Sequence, residues 1–288
     1  TLAALTGRPC RVENIRAGRP QPGLRPQHLT AVRSLAQITR GEVDGAEIGS
    51  TRLTFRPQGI YPGEYRFDVA EKTGSAGSVC LIAQTLVPVL AFGARPSQIV
   101  LKGGTHVPWS PPAHYFSLVF LPVLAAMGVA VTCELPRWGF YPQGGGEIRL
   151  TVQPVTAPLR ACRLQPPNQS AFRGLAAVAN LPASVNERQV QTLRQHLPWL
   201  TEVEMISAPA PGRGTFVFLW GPQAGFSALG AKGKPAEAVA TEAATALTSF
   251  LASGTSVDKH LADQLILYAA LATGETQFTT ETVTNHLL

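Results

Sequence analysis

The densest run of chemically capable side chains is Asn14-Ile15-Arg16-Ala17-Gly18-Arg19-Pro20-Gln21-Pro22-Gly23-Leu24-Arg25-Pro26-Gln27-His28. Three arginines share a loop stiffened by Gly and Pro, and the loop leads into a helical pattern. A guanidinium offers paired N–H donors spaced like two phosphate oxygens, and amides at a helix start add partial positive charge. The loop suits a phosphorylated ligand, and equally a solvated basic surface. Gly74-Ser75-Ala76-Gly77-Ser78 precedes an apolar run and offers small residues with free amides. No Lys-Ser/Thr pair follows, so it is not a P-loop, and close packing is its plainer reading. The turns Gly103-Gly104-Thr105 and Gly144-Gly145-Gly146 share that ambiguity. Nearby Trp109, Trp138 and Tyr141 have the faces to stack on bases, or simply to pack. His260 precedes Asp263 and Gln264 on an amphipathic pattern, and His286 sits in Thr284-Asn285-His286. No Ser or Cys nucleophile motif accompanies either histidine, and an isolated His is more often structural than catalytic. Residue types alone stop at an αβ protein with phosphate-compatible loops.

These residues need elements to position them. Residues 26–40 read as a helix, with Pro26 near its start, Leu29, Val32, Leu35 and Ile38 at helical spacing, and Gly41 as a stop. Residues 74–93 read as a buried helix, and 112–128 as another after Pro111-Pro112. One repeat is visible: Gly49 to Pro57 and Gly146 to Pro154 share the pattern G-x-x-R-L-T-apolar-x-P. Alternation closed by a proline predicts a strand in each copy and suggests a duplicated αβ unit. The stretch 155–170 is proline-rich and reads as a connection. Strands are expected near 172–180, 201–208 and 214–220, with helices over 184–197 and 235–253. A further amphipathic helix spans Val257 to Ala272, and Gln277 to Val283 alternates like a strand. The expected organisation is a large repeated αβ domain, 1–156 with 256–288, interrupted by a small αβ domain at 157–255.

The composition agrees with a globular chain. Of 288 residues 45% are hydrophobic and 15% charged, which excludes a disordered polyelectrolyte. A net charge of +6 and a pI near 9.4 favour a polyanionic partner, though weakly. Cys10, Cys80, Cys133 and Cys162 are too scattered for a zinc site, and a reducing, cytoplasmic setting is the default. The most apolar stretch, Val79 to Phe92, is shorter than the roughly 20 residues of a membrane span.

Several of these segments, in the same order along the chain, resemble the RNA 3′-terminal phosphate cyclase family. They are the arginine loop through Leu29, Gly74 to Ser78, Gly103 to Thr105 with Pro108 to Pro112, Gly139 to Pro142 with Gly144 to Glu147, Gly225 to Gly230, and Leu261 to Leu265. The resemblance implies an α/β fold of repeated αβ units, related to the enolpyruvyl transferases, with a small inserted domain. It implies ATP as co-substrate, a divalent cation (Mg2+ or Mn2+), and RNA with a 3′-phosphate end as partner, and it leaves a homodimer open. An active-site histidine takes AMP from ATP and passes it to the RNA 3′-phosphate; the neighbouring 2′-OH then closes a 2′,3′-cyclic phosphate. By resemblance the nucleophile is His286. Arg16 and Arg19 serve catalysis, and with Arg25, Gln27 and His28 they bind RNA phosphate. Gln84, Pro108, Phe226, His260, Asp263 and Gln264 are the nucleotide-side residues, with Asp263 suited to orient the nucleophile.

Two departures qualify the resemblance. The family carries an acidic, Gly-rich segment ahead of the position of Thr1, and continues beyond the histidine, so a fragment is expected. The competing readings are a catalytically silent RNA-binding relative and, more distantly, an enolpyruvyl transferase.

Overall fold

The computed structural model describes residues 1–69 and 76–287, so Gly74 and Ser75 lie outside the described residues. The fold is α/β, and its contacts divide it into two units: residues 1–110 with 130–156, and 111–129 with 157–288. The segment 256–288, expected with the large domain, groups here with 157–255.

The first unit opens with helix α1 (Leu2–Thr6) and strand β1 (Cys10–Val12), followed by α2 (Pro26–Thr39), β2 (Glu42–Asp44) and β3 (Leu53–Arg56). These strands form an antiparallel sheet in the order β1-β3-β2. Next come β4 (Glu64–Asp68), α3 (Val79–Ala91) and β5 (Ser97–Gly103). Leu29, Leu35 and Ile38 of α2 are buried at the predicted spacing, and Arg40 in the left-handed region closes the helix. Nearly every side of α3 is buried, which is why its apolar residues show no polar stripe. Ser78 caps it by accepting the Leu81 N–H at 3.4 Å.

The second unit takes up the chain at a helix in three pieces: α4 (Ala113–Tyr115), a π turn (Phe116–Phe120) and α5 (Leu121–Met127). In the π turn the Leu121 N–H reaches back five residues to the Phe116 carbonyl. Pro122 follows at once; it has no N–H for the preceding turn, and an extra residue is a common accommodation.

Strands β6 (Val131–Arg137) and β7 (Gly146–Val152) then complete the second sheet of the first unit, in the order β4-β5-β7-β6. The repeat is structurally real at strand level. Leu53 and Phe55 of β3 are buried, and so are Leu150 and Val152 at the matching positions of β7.

The glycine turns pack backbone against backbone. A Cβ on Gly139 would lie 2.4 Å from the Gly103 carbonyl oxygen and 2.5 Å from the Gly146 nitrogen, and one on Gly104 would lie 2.3 Å from the Ala76 oxygen. In the resulting approach the Gly104 N–H donates to the Gly77 carbonyl (2.8 Å), and the Thr105 and His106 N–H groups share the Gly139 carbonyl (3.0 Å each).

After β8 (Leu159–Arg160) the second unit builds a four-stranded sheet from β9 (Arg173–Ala179), β10 (Val203–Ser207), β11 (Gly214–Gly221) and β12 (Ala224–Leu229), in the order β10-β9-β11-β12. Helices α6 (Ser184–His196) and α7 (Ala236–Ser253) cover one face, meeting Ala176, Val217, Leu219 and Phe226 with Leu193, Leu247 and Phe250. Phe216 and Phe218 alternate to the other face, where the His114 ring lies 5.8 and 6.3 Å from theirs. Helix α8 (Lys259–Leu271) ends in β13 (Ala272–Thr273), which pairs in parallel with β8. The strand expected over Gln277 to Val283 does not form. Its Gln277 and Thr280 make isolated bridges to Arg163 and Val257, because the facing segments present one residue each rather than a ladder.

Gly139→Ala tests the glycine packing. The new methyl meets backbone that cannot rotate away, so about 1–3 kcal/mol or more of stability should be lost. A lower denaturant midpoint at unchanged slope is the expected readout.

Candidate functional site

The first unit gathers part of the expected set around the start of α2. Pro26 occupies the first helical turn, where its missing N–H costs nothing, and Arg25 before it is extended. The His28 Nδ1 accepts the Arg25 N–H at 3.2 Å. A backbone amide can only donate, so neutral His28 carries its proton on Nε2. Burial, and then Arg16 and Arg25, hold the His28 pKa below its ordinary value, which keeps the ring neutral in a positive setting. Gln27 Oε1 accepts the Ser78 N–H at 3.1 Å and so ties the start of α2 to the start of α3.

Gln84, on α3, has a buried side-chain nitrogen with no hydrogen-bond partner. Pro88 lies one turn further on and has no N–H to give the Gln84 carbonyl, so this stretch of helix is underbonded on two counts. Gln84 lines a cavity of about 340 Å³ together with Thr1, Gln27, His28, Ala31 and Leu81. The Gln84 nitrogen itself is closed off from solvent, and a buried donor left without a partner costs free energy.

Arg16 adopts the left-handed backbone conformation (φ 54°), and its Nη1 donates to the carbonyls of Gln21 (2.7 Å) and Gly23 (3.1 Å). It thus braces the loop, with three of its five N–H donors left for other work. Arg19 is exposed on the same loop, and Pro108 is exposed between buried Val107 and exposed Trp109.

The second unit holds the remaining residues, on α8 and the segment after it. Here the central group is one sequence reasoning missed. Asp258 is 1% exposed and caps α8: its Oδ1 accepts the N–H groups of His260 (2.8 Å) and Leu261 (3.0 Å). Its Oδ2 accepts the Gly225 N–H at 3.0 Å, and the Tyr115 hydroxyl donates at 2.9 Å to each oxygen. Burial raises the Asp258 pKa to about 6, against the lowering effect of those donors. An Asp just before an amphipathic run was legible as a helix cap. Its partners 33 and 143 residues away were not.

From this anchored end, α8 presents His260, Asp263 and Gln264. The Asp263 carboxylate accepts the Thr284 hydroxyl at 2.5 Å, and the Thr284 oxygen accepts the His286 N–H at 3.2 Å. Asp263 therefore positions the His286 turn through Thr284, a residue sequence reasoning had not singled out for a role. The His286 side chain itself is exposed. His260 has its pKa lowered, first by loss of hydration and then by Lys259, with His286 also acting on it through space. Gln264 has a buried Oε1 with no partner. Phe226 is 8% exposed, its ring 5.3 Å from Phe250 in the core, so most of its surface is spent on holding β12.

Among the described residues no group of three or more His, Cys, Asp or Glu side chains is placed to hold a metal ion, and no helix is long and apolar enough to cross a membrane.

Comparison with known proteins adds a family to this geometry. The family model described as RNA 3′-terminal phosphate cyclase matches residues 1–288. A protein of that name from Methylococcus capsulatus is 44% identical over all of this chain and 82% of its own length. Namesakes from Pyrobaculum neutrophilum and Archaeoglobus fulgidus are 39% and 40% identical over 99% of this chain, and over 84% and 86% of their own lengths.

Asp258→Ala should strand the Gly225 N–H and the Tyr115 hydroxyl, costing roughly 2–5 kcal/mol. Because the native pKa of about 6 exceeds that of an unfolded Asp, the native state holds the proton more tightly. The contribution of this group to stability therefore falls as pH rises from about 4 to about 6. Asp258→Asn should lack that part of the slope when unfolding is followed across that range.

Proposed function

Because the chain belongs to the RNA 3′-terminal phosphate cyclase family, we propose that it converts an RNA 3′-terminal phosphate to a 2′,3′-cyclic phosphate at the expense of ATP, with His286 as nucleophile. The observation that carries the assignment of the nucleophile is the relay Asp263–Thr284–His286. It holds the backbone of an exposed histidine while leaving the imidazole open to a substrate as large as a nucleotide. An imidazole nitrogen attacks the α-phosphorus of ATP, and the bond to pyrophosphate breaks. The resulting P–N bond is labile, and the AMP moves to an oxygen of the RNA 3′-phosphate. Attack by the adjacent 2′-oxygen on that phosphorus closes the ring and expels AMP.

Gln84 in the first unit has a bare buried donor and Gln264 in the second a bare buried acceptor, and each separately fits a role toward a polar ligand such as a nucleotide. Pro108, His260 and Asp263 complete the nucleotide-side set, with Phe226 contributing through the strand it anchors. Arg16, Arg19 and Arg25 supply charge-assisted bonds to RNA phosphate oxygens, and Gln27 and neutral His28 add uncharged donors. Mg2+ or Mn2+ would offset charge on the reacting phosphates.

With α-labelled ATP and Mg2+ or Mn2+, the protein should form an acid-labile, alkali-stable adduct that persists on a denaturing gel. His286→Ala should form none. A His286→Ala protein that still becomes labelled would remove His286 from the chemistry, and an unlabelled wild type would favour a silent RNA-binding relative. Arg19→Ala should slow cyclisation of a 3′-phosphorylated RNA by roughly tenfold or more. Unchanged cyclisation kinetics would take Arg19 out of the site.

A further inference from the structure

The first unit holds two aromatic side chains out of its packing. Trp109 is 100% exposed and Tyr141 68% exposed, while their neighbours His106, Trp138 and Phe140 are all buried. The two exposed residues stand on segments that run side by side. The N–H groups of Thr105 and His106 both donate to the Gly139 carbonyl, and His106 bridges Phe140 in parallel. Trp109 follows that bridge by three residues and Tyr141 by one, so both side chains spring from backbone within about 10 Å of it. Beneath them the His106 and Trp138 rings stack at 4.2 Å and 9°, a rigid footing.

Trp109 is not the tip of a slack loop. Its φ is 64°, a conformation a bulky residue adopts only when its surroundings impose it. Pro108 restricts the backbone before it, and the Ser110 hydroxyl donates to the Val107 carbonyl at 3.2 Å across it. Folding gains nothing from a fully hydrated indole held at the cost of backbone strain. A ligand with a flat apolar face would gain from it, since the backbone that carries the ring is already fixed and less entropy remains to be lost.

We propose that Trp109 and Tyr141 form a stacking platform for unpaired bases next to the 3′ end of the RNA substrate. This deepens the cyclase reading and rests on it. An enzyme that acts on a terminal phosphate must hold ends of differing sequence. Arginines meet the phosphates, which all RNAs share, and a π face meets any base without reading its edge. The net charge of +6 favours the approach of such a strand. Pro108, on the nucleotide side of the proposed reaction, immediately precedes Trp109, so the platform adjoins that side along the chain.

The test uses a short single-stranded RNA with a 3′-phosphate, and a second version whose last nucleotides lack bases. Trp109→Ala should weaken binding of the first RNA by about 5- to 150-fold, and Trp109→Phe should retain most of the affinity. The dependence of affinity on salt should keep its slope, because no phosphate contact is lost. Removing the bases should weaken binding to the wild type but have little further effect on Trp109→Ala, the non-additivity of a shared contact. Base removal that costs both proteins equally would overturn the platform, as would unchanged affinity of Trp109→Ala. A wild type that fails to bind the RNA would overturn it too, and would mark the exposed rings as a surface for some other partner. The labelled adduct separates this from the parent reading: its presence with any of these failures leaves the cyclase assignment standing, and its absence removes that assignment.

Discussion

A single buried carboxylate organises the second unit. Asp258 receives hydrogen bonds from the start of α8, from the start of β12 and from the tyrosine just before the π turn. Three elements remote in sequence thus meet at two oxygen atoms. Burying a carboxylate is costly, and the raised pKa registers that cost. What the arrangement secures is direction: the N-terminal turn of α8 is held from outside the helix as well as from within. His260, Asp263 and Gln264 lie on that turn and the next. Through Asp263 and Thr284 the same fixity reaches His286. The segment carrying this histidine has no regular secondary structure, and its order depends on that chain of contacts.

The first unit achieves a comparable fixity by a different means. Its glycine turns interlock because none carries a side chain, and carbonyls and amides of neighbouring loops bond across the space left open. Of the small residues whose plainer reading in the sequence was close packing, Gly77, Gly103, Gly104 and Gly146 do pack closely against neighbouring segments. The atoms that are under-satisfied belong to longer side chains, Gln84 and Gln264. Sites of this kind are found where a scaffold is tight and a few polar groups are left without partners.

The helices and the repeat strands were legible in the sequence because they rest on local periodicity. α2, α3, α6, α7 and α8 fall within a few residues of expectation, and β3 and β7 bury the alternating residues that the repeat predicted. Strands β1, β2, β4, β5, β6, β8, β12 and β13 went unread. In β5 the buried positions include Ser97 and Gly103, and β12 opens with three buried residues in a row, so neither shows a clean apolar alternation; β5 is stabilised by pairing with β7 far along the chain. Gln277 to Val283 failed in the opposite direction, alternating but meeting its neighbours only at the single bridges to Arg163 and Val257. Among candidate site residues, the arginine loop and the two late histidines drew attention by type. Asp258 and Thr284 did not, since their importance lies in partners brought by the fold. Of the three aromatics near the turns, Trp138 is buried and Trp109 fully exposed, a distinction no spacing rule could make.

The π turn between Tyr115 and Leu121 is one residue longer than a regular helix would need. Deleting a single residue within it would restore α-helical register and shorten the helix by about 1.5 Å. Because a π turn absorbs its extra residue locally, the helical pieces on either side would keep nearly the same facing. The phenol of Tyr115 and the apolar face of α5 would stay directed as they are. In-frame loss of one codon within the turn should therefore be better tolerated than the same loss inside α5, where no extra residue is available to absorb it.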